Sequence, residues 1–81
     1  MKKILRFTAS WCGPCKSMAK ILENVNTSIP IEVIDIDVSP DIAAEYWIRS
    51  VPTLIMLDGD IEMKRMTGVK AENIMKEWIN G

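Results

Sequence analysis

The hydrophobic period of this chain switches back and forth between two residues and about 3.6, and that switching leaves few folds open. Lys3-Ile4-Leu5-Arg6-Phe7-Thr8 is a short apolar-rich run ended by small residues and predicts a strand. From Cys15 to Val25 the apolar positions are Cys15, Met18, Ala19, Leu22 and Val25. Steps of three and four describe one helical face, and Asn24, Asn26, Thr27 and Ser28 mark its end. After Pro30, the segment Ile31 to Val38 alternates Ile34, Ile36 and Val38 with Asp35 and Asp37, the pattern of a strand with one wetter face.

The second half continues the alternation. Ser39-Pro40 is a helix start: serine can cap free amides, and proline suits the first helical position because its missing N–H would be unpaired there anyway. The helix it opens runs through about Tyr46 or Trp47. Ser50-Val51-Pro52 breaks the chain before a strand at Thr53–Leu57, and Asp58-Gly59-Asp60 turns it into a partner strand, Ile61 to Met66. Ile61 and Met63 alternate, but Met66 has the opposite parity, so a bulge or a shifted boundary is expected in that strand. Gly68 separates it from a last helix carrying Ala71, Ile74, Met75 and Trp78, with Asn80-Gly81 at its end. The order is β-α-β-α-β-β-α. It predicts an α/β fold, with a parallel first pair, an antiparallel hairpin, and a mixed four-stranded sheet under three helices. No repeat, linker or low-complexity segment divides it, so residues 1–81 read as a single domain.

Composition narrows the function. The longest uninterrupted apolar run, Val51 to Leu57, is far shorter than the eighteen or so residues of a membrane helix. Lys2 and Lys3 are followed by only two apolar residues before Arg6, where a secretory leader needs about 7–15, so a cytoplasmic location is expected. A net charge of −1 argues against nucleic-acid binding driven by bulk charge. With two cysteines and no histidine the chain can build neither a disulfide scaffold nor, alone, a four-ligand zinc site. No metal site is expected, and the cysteines are either inert or chemical.

Those cysteines lie in Trp11-Cys12-Gly13-Pro14-Cys15-Lys16, between the first strand and the first helix. Cys12 lands at the helix N-terminus, where unpaired N–H groups and the helix dipole favour negative charge. Thiolate is the reactive form of cysteine, so this placement activates Cys12 as a nucleophile. Cys15, one turn further in, can resolve a mixed disulfide formed by Cys12. Pro14 stiffens the first turn, and Gly13 removes bulk beside a sulfur expected to be exposed. Half a zinc site or two buried thiols are the plainer readings. The missing second half of such a site and the strand-to-helix context favour redox chemistry.

With these residues in place, the chain resembles the thioredoxin family. Trp11-Cys12-Gly13-Pro14-Cys15 looks like that family's active-site motif, Ile48-Arg49-Ser50-Val51-Pro52-Thr53 resembles its cis-proline loop, and Gly68 matches a recurring glycine. The likeness runs from Ile4 to Ile79 and implies a thiol-disulfide oxidoreductase in which Cys12 attacks a substrate disulfide and Cys15 releases the reduced product. It implies that Pro52 is cis, although only about 5–6% of X–Pro bonds are, and that Val51 offers its backbone to an extended substrate strand. Trp11, Gly13 and Pro14 would join the substrate surface. It further implies protein disulfides as substrates, a flavin-dependent thioredoxin reductase as electron source, a monomer, and no cofactor beyond the Cys12–Cys15 pair.

The chain also departs from that pattern. It begins at what would be the family's second strand, which makes Ile31 to Val38 a sheet edge where Asp35 and Asp37 discourage pairing with another chain. Arg6 stands where the family carries a buried aspartate, and Val33 where it carries a lysine. If Arg6 faces the motif, its charge stabilises thiolate and makes the pair more oxidising; otherwise it extends to solvent or pairs with Glu72 or Glu77. The proton of Cys15 is then expected to leave through water or backbone.

Residues 1–22 carry five basic side chains and no acid, whereas residues 23–62 carry nine acids and one base. Lys16 and Lys20 therefore make the site mildly basic or simply solvate a helix face. Trp11 is expected to meet partners, Trp47 and Trp78 to pack, and the six methionines to fill the core. Three rival readings stay open: a glutaredoxin-like redoxin donating electrons to ribonucleotide reductase, a binding module using the Trp11 and Pro52 surface, and metal or cluster carriage between two copies. Thr67-Gly68-Val69-Lys70 lacks the paired glycine and aspartate of the glutathione-binding pattern.

Overall fold

The alternation in the sequence becomes alternation in space. In the computed structural model, which describes residues 1–81, the chain runs β1 (Lys2–Thr8), α1 (Gly13–Glu23), β2 (Ile31–Asp35), α2 (Pro40–Glu45), β3 (Thr53–Asp58), β4 (Ile61–Thr67) and α3 (Glu72–Asn80). The strands form one mixed sheet in the order β2-β1-β3-β4. β1 and β2 are parallel, with Ile4 opposite Ile31 and Thr8 opposite Asp35. β3 runs antiparallel to both of its neighbours. No helix is long and apolar enough to cross a membrane.

The inner place of β3 explains its composition. Thr53 to Leu57 are all buried because a strand on each side takes the backbone and helices cover both faces. Leu54 and Met56 pack with Ile4, Met18, Val25, Met75 and Ile79, so α1 and α3 share that face. Ile55 and Leu57 pack with Leu5, Phe7, Ile34 and Ala43, so α2 lies on the other. Each fully buried side chain of this size stabilises the fold by about 1.5–3 kcal/mol relative to exposure.

Several boundaries differ from expectation for local reasons. β2 ends at Asp35 rather than Val38. The Ile36 N–H makes one last bond to the Thr8 carbonyl at 3.0 Å. Asp35 Oδ1 then accepts the N–H groups of Asp37 (2.8 Å) and Val38 (3.4 Å) and curls the chain into a turn. Val38, read as part of the strand, is 79% exposed. β2 is a sheet edge as expected, yet Asp37 lies past it. α1 spans Gly13–Glu23, two residues earlier at each end than its apolar period suggests, because Gly13 and Pro14 occupy the first turn without contributing to the stripe. Ser39 precedes α2, but its side chain makes no capping bond. Trp47 does not pack: it follows α2 with φ 55° and is 76% exposed. Trp78 is half-buried against the first core, with Lys64 Nζ 4.8 Å from its ring centroid.

The expected irregularity in β4 is a bulge. Met56 pairs with Lys64 and Leu57 with Glu62, which leaves Met63 as the extra residue. The bulge returns Met66 to the inward parity opposite Leu54. It also brings Glu62 and Arg65 to one face, where two contacts of 2.7 Å join them.

Candidate active site

The loop from β1 to α1 rises at the end of the sheet where both parallel strands terminate. Its last residue, Cys12, is the N-cap of α1, extended at φ −91° and ψ 106°. Its Sγ accepts the Cys15 N–H at 3.1 Å, so sulfur does what a serine or aspartate oxygen does in an ordinary cap. Cys12 and Cys15, with Cα atoms 5.3 Å apart, are joined as a disulfide. Both are buried, Cys12 at 4% and Cys15 at 1% exposure, in a small cluster with Ala9 that Ile36 and Val51 flank. Cys12 is thus less open than its place in the motif suggests. The opening beside it is at Gly13, where an added Cβ would meet nothing within 4 Å.

The cover over Cys12 is the Val51-Pro52 loop, whose peptide bond is cis. The Val51 carbonyl oxygen lies 3.6 Å from Cys12 Sγ. Thr53 Oγ1 donates to the Ser50 carbonyl at 2.8 Å, and the Gly68 N–H donates to the Pro52 carbonyl at 3.0 Å, so the loop is pinned at both ends. Gly68 has φ 81°, a conformation natural to glycine, which accounts for that residue after β4. Pro14 and Ser17 of α1 face Ser50, Val51, Pro52 and Val69 across an open groove of about 820 Å³. The structure therefore gathers Pro14, Val51, Pro52 and Gly68, four of the residues singled out in the sequence, at one groove, with Cys12 buried beneath Val51 at its edge. It adds Ser17, which no motif marked, and shows that Ser50, Thr67 and Val69, named only as neighbours of the motif residues, line the same groove.

Trp11 stands apart from the groove lining. It is 67% exposed, and its indole Nε1 donates to Asp37 Oδ2 at 2.9 Å. Asp37 is thus a support for Trp11 rather than a strand residue. Its signal was present in the sequence, since it lies just beyond the strand parallel to β1 and so at the same end of the sheet as the motif.

Arg6 and Lys16 lie on the other side of Cys15. They line a second cavity, about 260 Å³, together with Cys15, Thr8, Ser10 and Asp35. Arg6 forms no ion pair with Glu72 or Glu77; the side-chain ion pairs of the fold are Lys3–Glu32 and Glu62–Arg65. Partial burial pushes the Arg6 guanidinium below its usual value, yet arginine stays charged at neutral pH.

Chemically, a sulfur at a helix N-terminus, a second sulfur one turn on and a groove at the first make a two-electron thiol–disulfide couple with a docking surface. Comparison with known proteins gives the same picture. The chain matches the family described as Thioredoxin over residues 1–81. It is 32% identical over 81 residues to a thioredoxin of Rickettsia felis, covering 95% of this chain and 77% of that one. It is 36% identical over 80 residues to one of Chlamydia trachomatis, covering 95% and 78%. A bifunctional thioredoxin reductase/thioredoxin of Mycobacterium leprae is 34% identical over 73 residues, 85% of this chain but 16% of that much longer protein. Among solved structures, a mutant thioredoxin from Halobacterium salinarum superposes with a TM-score of 0.88 at 29% identity, covering 96% of this chain and 71% of the other. Its fold, its cysteine pair and these relatives place the chain in the thioredoxin family, as a thiol-disulfide oxidoreductase working through Cys12 and Cys15.

Proposed function

We propose that this chain reduces disulfide bonds of other proteins in the cytoplasm, as a monomer that uses no cofactor beyond its own cysteine pair. The Cys12 thiolate attacks one sulfur of the substrate disulfide; the Cys12–substrate bond forms and the substrate S–S bond breaks, releasing the first thiolate. Cys15 loses its proton and attacks Cys12 Sγ, which closes the intramolecular disulfide and releases the second substrate thiolate. The substrate gains two electrons and the chain loses two.

The observation that carries this reading is the position of Cys12 Sγ. It sits where the Cys15 N–H meets it at 3.1 Å and 3.6 Å from the carbonyl of Val51, a residue that lines the groove. The N–H groups of the first turn of α1 stabilise a thiolate there. An extended peptide laid in the groove would find Val51, whose N–H and C=O are engaged by no other backbone group. Trp11, exposed and oriented by Asp37, would widen the apolar contact beside the reacting sulfur. Gly13 and Pro14 complete the contact surface, and Lys16 with Arg6 adds positive charge behind Cys15.

Electrons would come from a flavin-dependent thioredoxin reductase. The M. leprae relative supports that assignment, since its name joins a thioredoxin reductase and a thioredoxin in one polypeptide. Insulin reduction with two electron sources tests the proposal. The expected outcome is turnover with NADPH and thioredoxin reductase that exceeds turnover with glutathione and its reductase. Preference for glutathione would move the chain to the redoxin reading. Full biological activity of a Cys12→Ser, Cys15→Ser double variant would move it to a binding module.

A further inference from the structure

The second half of the cycle leaves one proton to account for. Cys15 must lose it before attacking Cys12 Sγ, and Cys15 is 1% exposed, so the proton leaves past the groups that line the open hollow beside its sulfur. The cavity of about 260 Å³ behind the motif is the one cavity that Cys15 lines. Three elements bring charged groups to it: Arg6 from β1, Lys16 from α1 and Asp35 from β2. Of these, only Asp35 can accept a proton at neutral pH. The nearest further acid along that segment, Asp37, is occupied by the Trp11 indole.

The strand register explains how Asp35 arrives there. Ile4 and Ile31 are opposite each other and pack in the core under α1. By the two-residue period of a strand, Arg6 and Thr8 share their face, as do Val33 and Asp35. Arg6 is paired with Val33, and Asp35 with Thr8, the last residue of β1 before the motif loop. The carboxylate is therefore one step closer to Cys15 along the sheet than the Arg6–Val33 pair. Its Oδ1 is taken by the amides of Asp37 and Val38, and it forms no ion pair, which leaves Oδ2 for the cavity. The cavity has room for a bridging water, whose share of volume is about 30 Å³.

We propose that the Asp35 carboxylate, directly or through one water, accepts the proton of Cys15 during resolution of the mixed disulfide on Cys12. The S–H bond of Cys15 breaks, Asp35 holds the proton, the Cys15 sulfur takes Cys12 Sγ, and the departing substrate thiolate is protonated from solvent, after which Asp35 returns its proton. Arg6 and Lys16 favour the step by stabilising the thiolate as it forms. The proposal rests on the two-cysteine cycle described above, and it replaces a water-or-backbone route for this proton with a named side chain.

Stopped-flow reaction of the fully reduced protein with an aromatic disulfide that releases a coloured thiol tests it. The first equivalent of coloured thiol reports attack by Cys12, and the second reports resolution by Cys15. At high reagent concentration the second phase is first order and independent of reagent. Asp35→Asn keeps the oxygen that accepts the Asp37 and Val38 amides but removes the base. It should leave the first phase unchanged and slow the second by about a hundredfold, the low end for a positioned base. Its second phase should also fall by about tenfold per pH unit below neutrality, while the unmodified protein falls less steeply. Asp35→Glu disturbs the turn but keeps the carboxylate, and should retain more of the second phase than Asp35→Asn. An Asp35→Asn second phase within about twofold of the unmodified protein, or Asp35→Glu slower than Asp35→Asn, would overturn the proposal. Release of only one equivalent by the unmodified protein would overturn the two-cysteine cycle itself, and Asp35's role with it.

Discussion

Cys12 Sγ serves as a helix cap and, in the proposed cycle, as the reacting atom, and those uses reinforce each other. The N–H of Cys15 that caps the disulfide sulfur is the same N–H that would hold a thiolate. Arg6 adds to this from behind Cys15. It is half-buried at the cavity and forms no ion pair, although Asp35 lines the same cavity, so part of its charge is felt by the sulfurs. Arg6→Ala should therefore make the couple more reducing, by about 10–30 mV given that about 30 mV is a tenfold change for two electrons. Equilibration against a glutathione buffer measures this, and an unchanged potential would mean that solvent screens the guanidinium. The sign of this effect was legible in the sequence. Its route was not, because nothing in the local pattern tells whether an arginine on a strand turns to a cavity or to an acid on a helix.

At the scale of elements, two local devices carry separate predictions. The bulge at Met63 is what allows residues three apart in a strand to meet, since without it Glu62 and Arg65 would lie on opposite faces. Arg65 holds the Glu62 carboxyl below its usual 4.5 mainly through the side-chain hydrogen bond. A carboxyl with a lowered folded value stabilises the fold above its ordinary value, and that contribution fades as pH falls through the folded one. Because the pair is open to solvent, Glu62→Gln should cost less than about 1 kcal/mol at pH 7 and nothing at strongly acid pH. Denaturant midpoints at both pH values check it. Ser39→Ala gives a contrast with ordinary helix caps. Removing a capping serine typically costs about 1 kcal/mol, but Ser39 makes no capping bond, so a loss of less than about 0.5 kcal/mol is expected for α2. A full-sized loss would show that the cap forms in solution.

These elements also show which parts of a sequence speak for themselves. Periodicity located most of the elements because burial imposes it wherever an element has one dry face, while the Ser39-Pro40 start marked α2 and the Asp58-Gly59-Asp60 turn marked the hairpin. It mistook the end of β2, because Ile36 and Val38 keep the alternation while the Asp35 side chain captures the amides a longer strand would need. It mistook Trp47, because residue type carries a preference for burial but not the left-handed backbone that ends α2 and turns this ring outward. At the site, Cys12, Cys15 and Pro52 were visible through their spacing and motif context. Ser17, Ser50 and the cavity face of Asp35 come together only when strands distant in sequence are placed side by side, which no local pattern encodes.

For the molecule as a whole, β3 joins stability to function. Leu54 and Met56 hold one core, Ile55 and Leu57 the other, and the same strand starts at Thr53, whose hydroxyl anchors the loop over Cys12. Phe7, fully buried on β1 and 5.9 Å from the Tyr46 ring, ties α2 to that sheet. Phe7→Ala should cost about 3–5 kcal/mol, a large share of the total stability of a domain this size, and should lower the urea midpoint without altering the chemistry of whatever fraction stays folded. Division of labour between the two sulfurs underlies the whole cycle, and mass spectrometry of single-cysteine variants incubated with a disulfide-bonded protein substrate tests it. Cys15→Ser should accumulate a covalent adduct through Cys12 that a reductant releases, and Cys12→Ser should accumulate none. An adduct on Cys15 in the Cys12→Ser variant, with none on Cys12 in the other, would contradict the assignment.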